Sequence, residues 1–140
     1  GEWLFDHEAM VAEPSTELFA PEEYRYLLVP DVALQKGRVA IAALKPHASI
    51  WSNNGYAFAR ELPTEALPAR IFAIEALEPY RPKELKRRWK GEGVEFMKRD
   101  CALSIEAVRR ATATRPGGER LFALTTIAGD TWVIGIKQLQ

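Results

Sequence analysis

The final stretch of the chain constrains its fold most. Leu121–Ile127 (LFALTTI) and Thr131–Ile136 (TWVIGI) are β-rich runs separated only by Ala128, Gly129 and Asp130. A turn that short, with a glycine in it, joins antiparallel neighbours. An isolated hairpin is marginal in water and needs further strands or a helix against one face. The rest of the chain must therefore supply a sheet and a cover. At 140 residues, 47% of them apolar, it has the material for one ordinary domain or two very small ones.

Upstream, strands alternate with short helices. Trp3–Phe5 is a short apolar run with the character of a strand. Residues 6–24 are acidic and hold Pro14 and Pro21, which predicts loop with a helical turn. Tyr24–Val29 reads as extended, because Pro30 disfavours the helical region at the residue before it. Asp31 has the character of an N-cap, and residues 32–44 read as one Ala-rich helix, weakened at Gly37 and stopped by Pro46. Trp51–Gly55 is turn chemistry, Tyr56–Phe58 a short strand, Pro63–Pro68 a loop and Arg70–Leu77 a strand.

Pro79, Arg81 and Pro82 mark a joint, and Pro82 fits the first turn of a helix. Leu85 and Trp89 share a face of that helix, Lys83, Lys86, Arg87 and Lys90 surround the rest, and Gly91 and Gly93 stop it. Val94, Phe96 and Lys98 alternate with Glu95 and Met97 as in a strand. Ser104 caps the next helix, with Glu106 in its first turn and an Ile105, Val108, Ala111 stripe. Pro116-Gly117-Gly118 then reads as the turn into the hairpin. Strands with short helices and no long crossovers predict an α+β fold built from small sandwiches.

Cys101 is the single cysteine, so no disulfide forms within the chain, which suits a reducing cytoplasm. No stretch approaches the roughly 18 apolar residues of a membrane span, and no signal peptide opens the sequence. The chain opens on Gly1 rather than methionine, which leads us to expect a piece of a longer protein.

Motifs for chemistry are missing. His7 and His47 lack ligand partners at metal-binding spacing. Lys98 and Arg99 precede Cys101, but no base accompanies it, and a small buried hydrophobe is the plainer role. Gly117-Gly118 lacks the lysine of a P-loop, and no G-x-G-x-x-G follows a strand. Glu22-Glu23 lies in an acidic loop and reads as surface. We expect no catalytic residues and no metal site in this chain.

Charge is more informative. The formal net charge is zero, yet residues 1–70 hold 6 Lys and Arg against 10 Asp and Glu, while residues 81–120 hold 12 against 6. The basic set comprises Lys83, Lys86, Arg87, Lys90, Lys98, Arg99, Arg109, Arg110 and Arg115. Gathered on one face, such cations release counterions from a nucleic-acid backbone; dispersed, they are an ordinary solvated surface. Both readings stand on charge alone.

Four collinear segments carry a resemblance: YLLVPDVALQKGRVAIAAL (26–44), PARIFAIEALEPYRPKELKR (68–87), RDCALSIEAVRR (99–110) and GGERLFALTTIAGDTWVIGI (117–136). They resemble the C-terminal region of a family of bacterial class I S-adenosylmethionine (SAM)-dependent methyltransferases, in which a ferredoxin-like domain precedes a THUMP-like domain. The shared features include the arginine before the capping serine, the double glycine and the paired threonines Thr125 and Thr126. Asp100, Cys101 and Ala102 stand where the family pattern has Asn-Phe-Pro, and residues 45–62 match poorly.

The resemblance implies an α+β chain of two small α/β sandwich units packed together: ferredoxin-like with an N-terminal extension over 1–80, then THUMP-like over 81–140. It implies a methyltransferase domain upstream that holds the cofactor SAM, none being bound by this chain. RNA, tRNA or rRNA, becomes the expected partner, positioned by the basic residues named above in the cytoplasm and with no membrane. The competing reading is a packing module that docks on the catalytic domain or self-associates through Trp3, Trp51 or Trp132.

Overall fold

The structure, a computed structural model, describes residues 13–139. The expected strand at Trp3–Phe5 lies outside the described residues, as does His7. The fold is α+β; the described residues form seven strands, four short α-helices and a 3-10 turn at Pro21–Glu23, divided into two units within strand β4 between Ala73 and Ile74.

The first unit holds β1 (Tyr26–Pro30), α1 (Val32–Lys36), α2 (Ala40–Leu44), β2 (Ser49–Ile50), β3 (Ala57–Ala59) and the start of β4 (Ala69–Pro79). Its strand order is β2-β3-β1-β4, all antiparallel. Leu27, Leu28 and Val29 are all buried, as a central strand covered on both faces requires. Leu28, Ile41, Leu44 and Ile50 pack with Ala57 and Ala59 in one core cluster.

The single helix expected over 32–44 is two helices, and Asn53 explains the break. Its Oδ1 accepts the Ala40 N–H at 3.1 Å, at the start of α2. Its Nδ2 donates to the Gln35 carbonyl at 3.0 Å, at the end of α1. One amide thus satisfies main-chain groups that a continuous helix would have paired internally. Between the two, Arg38 takes a left-handed conformation at φ 59°. Asp31 sits at the N-cap of α1, but its side chain makes no capping bond.

The second unit runs from Ile74 through α3 (Pro82–Trp89), β5 (Gly93–Lys98), α4 (Ile105–Thr112), β6 (Arg115–Ile127) and β7 (Asp130–Gln138, counted to Lys137). Its strand order is β4-β7-β6-β5; β6 and β7 are the expected hairpin, and β5 runs parallel to β6. Ala128 and Gly129 both have positive φ, as a tight two-residue hairpin turn demands. Ser104 caps α4 as expected, its Oγ accepting the Ala107 N–H at 3.0 Å.

Both helices pack on one side of these strands. Leu85 and Trp89 of α3 and Val108 of α4 meet Val94, Phe96, Phe122, Leu124 and Val133 in one cluster. The Trp89 and Phe122 rings lie 4.3 Å apart, centroid to centroid. Cys101 is half-buried and packs against the same cluster.

Pro116-Gly117-Gly118, expected as a turn, lies within β6. Gly93 pairs with Arg115, whereas Val94 pairs with Arg120, so residues 116–119 bulge from the ladder. The bulge folds back onto Gly93. A Cβ on Gly118 would strike the Gly93 carbonyl, and one on Gly93 would come within 2.9 Å of the Gly117 carbonyl. Gly118 also has φ +91°. Gly118→Ala is therefore expected to destabilise this unit by about 2–4 kcal/mol in urea denaturation. Gly129→Ala, equally left-handed but with open space around it, is expected to cost only about 1 kcal/mol.

Candidate nucleic-acid interface

The topology of the second unit gathers cations at one end. α3 leads into β5 and α4 leads into β6, and those strands are parallel. Both helices therefore finish at the end where β5 and β6 begin. Two main-chain bonds tie the connecting loops together there: Gly91 N–H to the Ala113 carbonyl at 2.8 Å, and Arg115 N–H to the Glu92 carbonyl at 3.0 Å. Lys86, Arg87 and Lys90 from α3 thus meet Arg110 and Arg115 from α4 and β6. The hairpin register, Leu121 opposite Ile136, brings Lys137 to the same end. Sequence reasoning missed Lys137, and its one signal is its place beyond the last apolar residue of the hairpin.

On α3 the free cations share a face. Taking about 100° per residue, Lys83, Lys86, Arg87 and Lys90 fall within an arc of about 100°, opposite Leu85 and Trp89. All four are exposed and form no ion pair among the described residues, as is true of Arg110 and Arg115.

Other candidates are committed to the fold. Arg109 is 16% exposed; it donates to the Val94 carbonyl at 2.8 Å, approaches Glu95 at 3.7 Å and lies over the Phe96 ring. Lys98 donates to the carbonyls of Cys101 and Leu103. Arg99 has its main-chain N–H on the Leu124 carbonyl and is half-buried. Lys98 ends β5 and Arg99 follows it, roughly 16 Å from the strand's start. The structure therefore brings Lys86, Arg87, Lys90, Arg110 and Arg115 together, with Lys83 a little way along α3, and leaves Lys98 and Arg99 at the opposite end. Arg88 and Arg120 flank the Trp89 ring and pair with Glu78 and Glu92.

The local charge is well above what the helices themselves call for. Lys86, Arg87, Lys90, Arg109, Arg110, Arg115, Arg120 and Lys137 stand against Glu75, Glu92, Glu95 and Glu119, leaving four positive charges. The two helix C-termini offset only about one of these, at roughly half a charge each. The surplus is a field for an anionic partner.

Arg109 and Arg110 illustrate the division. Arg109→Ala is expected to cost about 1–3 kcal/mol of stability, since it removes a charge-assisted bond from a main-chain carbonyl. Arg110→Ala, on the exposed face, is expected to stay within about 0.5 kcal/mol in the same denaturation experiment.

Elsewhere, a cleft of about 410 Å³ in the first unit is lined by Glu17, Lys45, His47, Ser49 and Arg60 among others. Three of its charged groups are partnered, Glu17 with the Ser49 hydroxyl at 2.6 Å, Lys45 with the Glu13 carbonyl and Arg60 with Glu23, while His47 lies 4.0 Å from Glu65 and Glu61 also lines the cleft. The Ser49 bond holds the Glu17 carboxyl below its usual range. Among the described residues, no group of three or more His, Cys, Asp or Glu side chains could hold a metal. Trp51 packs against Phe19, Tyr24 and Phe58 and donates to the Glu17 carbonyl, and Trp132 is half-buried. Trp3 lies outside the described residues. Among the described residues, the exposed large apolar side chains are Leu18, Val32, Leu62 and Leu139, scattered through the sequence. No helix among the described residues is long and apolar enough to cross a membrane.

Comparison with known proteins agrees with this architecture. No curated protein matches the chain. The crystal structure of a putative methyltransferase from Porphyromonas gingivalis W83 shares the fold, with a TM-score of 0.72 at 20% identity. The likeness covers 96% of this chain, which spans a third of the length of that structure (33%). Residues 69–137 match the family described as THUMP domain-like, and that span takes in the whole second unit with its cationic end.

Proposed function

We propose that this chain is the non-catalytic, RNA-positioning C-terminal region of a SAM-dependent methyltransferase. The observation that carries the reading is the convergence of Lys86, Arg87, Lys90, Arg110 and Arg115 at one end of the THUMP-like segment, unpaired and exposed. Their surplus charge has no acidic counterpart there, and phosphates supply one. The catalytic domain and its SAM would belong to the rest of the parent protein, and the likeness to part of a longer methyltransferase supports that arrangement. Transfer RNA and ribosomal RNA are the natural substrates to test, and the cytoplasm is the compartment where they would be met.

Titrating the chain into labelled total tRNA, followed by fluorescence anisotropy at several salt concentrations, tests the proposal. The expected result is affinity that falls linearly on a log–log salt plot, with a slope of roughly −3 to −5 for the free cations engaged. An absence of binding even at low salt would overturn it and leave a module that packs on the catalytic domain.

A further inference from the structure

Resting on that RNA-binding reading, we infer that the RNA held at the cationic end of the second unit is double-helical, gripped through its phosphates without reading its bases. Three observations point there.

The first is the placing of the rings. Single-stranded RNA is held largely by stacking its unpaired bases on aromatic side chains. Trp89, Phe96 and Phe122 are buried, at 2%, 8% and 5% exposure. The remaining rings of the unit, Tyr80 and Trp132, are half-buried and lie at the opposite end, where the Tyr80 N–H meets the Thr131 carbonyl. The cationic end therefore presents no aromatic platform.

The second is the lack of neutral side chains that read base edges. Residues 81–120 contain no Asn and no Gln. Ser104 is spent on its cap at the far end, and Thr112 is buried against Thr114. What this end exposes is mainly Lys and Arg, which suit phosphate oxygens.

The third is rigidity. Lys83 to Lys90 span about 10 Å along one helix face, and α4 packs beside α3. A fixed array of charges suits a fixed lattice of phosphates. A flexible strand would have to be ordered to match it, at an entropic cost. Duplex RNA closes its bases into a deep, narrow groove and offers phosphates and 2′-hydroxyls instead, the chemistry these side chains can meet.

The test uses the full chain and two labelled probes of equal nucleotide number, an RNA hairpin and oligouridylate, at one moderate salt concentration. The hairpin is expected to bind at least about tenfold tighter, with affinity unchanged when the stem sequence is scrambled. Oligouridylate binding as tightly as the hairpin would overturn the duplex inference and leave the RNA-binding reading standing. A hairpin affinity that follows the stem sequence would overturn the base-blind grip. Binding to neither probe would remove both readings together.

Discussion

Trp89→Ala is expected to lower the stability of the second unit by about 3–5 kcal/mol, the cost of emptying a large aromatic site. Trp89 is 2% exposed, with the Phe122 ring 4.3 Å and the Phe96 ring 6.2 Å from its own. The Arg88 and Arg120 guanidiniums cover its outer side at 5.8 Å each. Small domains are stable by only about 5–15 kcal/mol, so this one substitution removes a large share. Urea denaturation followed by far-ultraviolet circular dichroism would show the early loss of this unit. A cost under about 1 kcal/mol would mean that α3 does not anchor on the sheet as described. Trp89→Phe keeps a ring in the site and is expected to fall between the two.

Replacing Lys86, Arg87 and Lys90 together with glutamine is expected to reduce RNA affinity roughly 100-fold at 0.1 M salt and to flatten the salt slope by about 3. The three side chains are exposed and unpaired, and glutamine is close to lysine and arginine in helix propensity, so the fold should be retained. An unchanged denaturation profile beside the weakened binding would separate lost contacts from lost structure. If binding kept its full slope, the cations of α3 would not be where phosphates dock.

Much of the second unit is legible from local sequence because its cues agree. Pro82 opens α3, the four-residue spacing of Leu85 and Trp89 sets its buried face, and Gly91 closes it. Ser104 caps α4, and the short turn at Ala128–Gly129 fixes the hairpin. The break between α1 and α2 is not legible in this way. It depends on Asn53, 13 residues beyond Ala40 in the chain. The bulge at 116–119 is hidden for a similar reason, since Gly118 answers to the Gly93 carbonyl rather than to its neighbours.

The candidate site is half legible. The density of Lys and Arg over 81–120 is plain in the sequence, but their division into free and committed groups is not. Adjacent Arg109 and Arg110 lie on different faces because a helix turns about 100° between them. Arg109 finds Glu95 and the Val94 carbonyl across the α4–β5 packing, while Arg110 meets solvent. Lys137 enters only through strand register.

The Arg109 contact also bears on how this protein avoids its own kind. β5 is the outermost strand of the second unit, and such a strand offers bare main-chain groups on which another strand can add. Here it is only six residues long, and its exposed side chains include Glu95 and Lys98. Arg109 already occupies the Val94 carbonyl and sets a positive charge beside it. An incoming strand would have to displace a guanidinium from its acceptor and pass two charged side chains. The same contact that removes Arg109 from the set of free cations thus works as a guard against strand-to-strand aggregation.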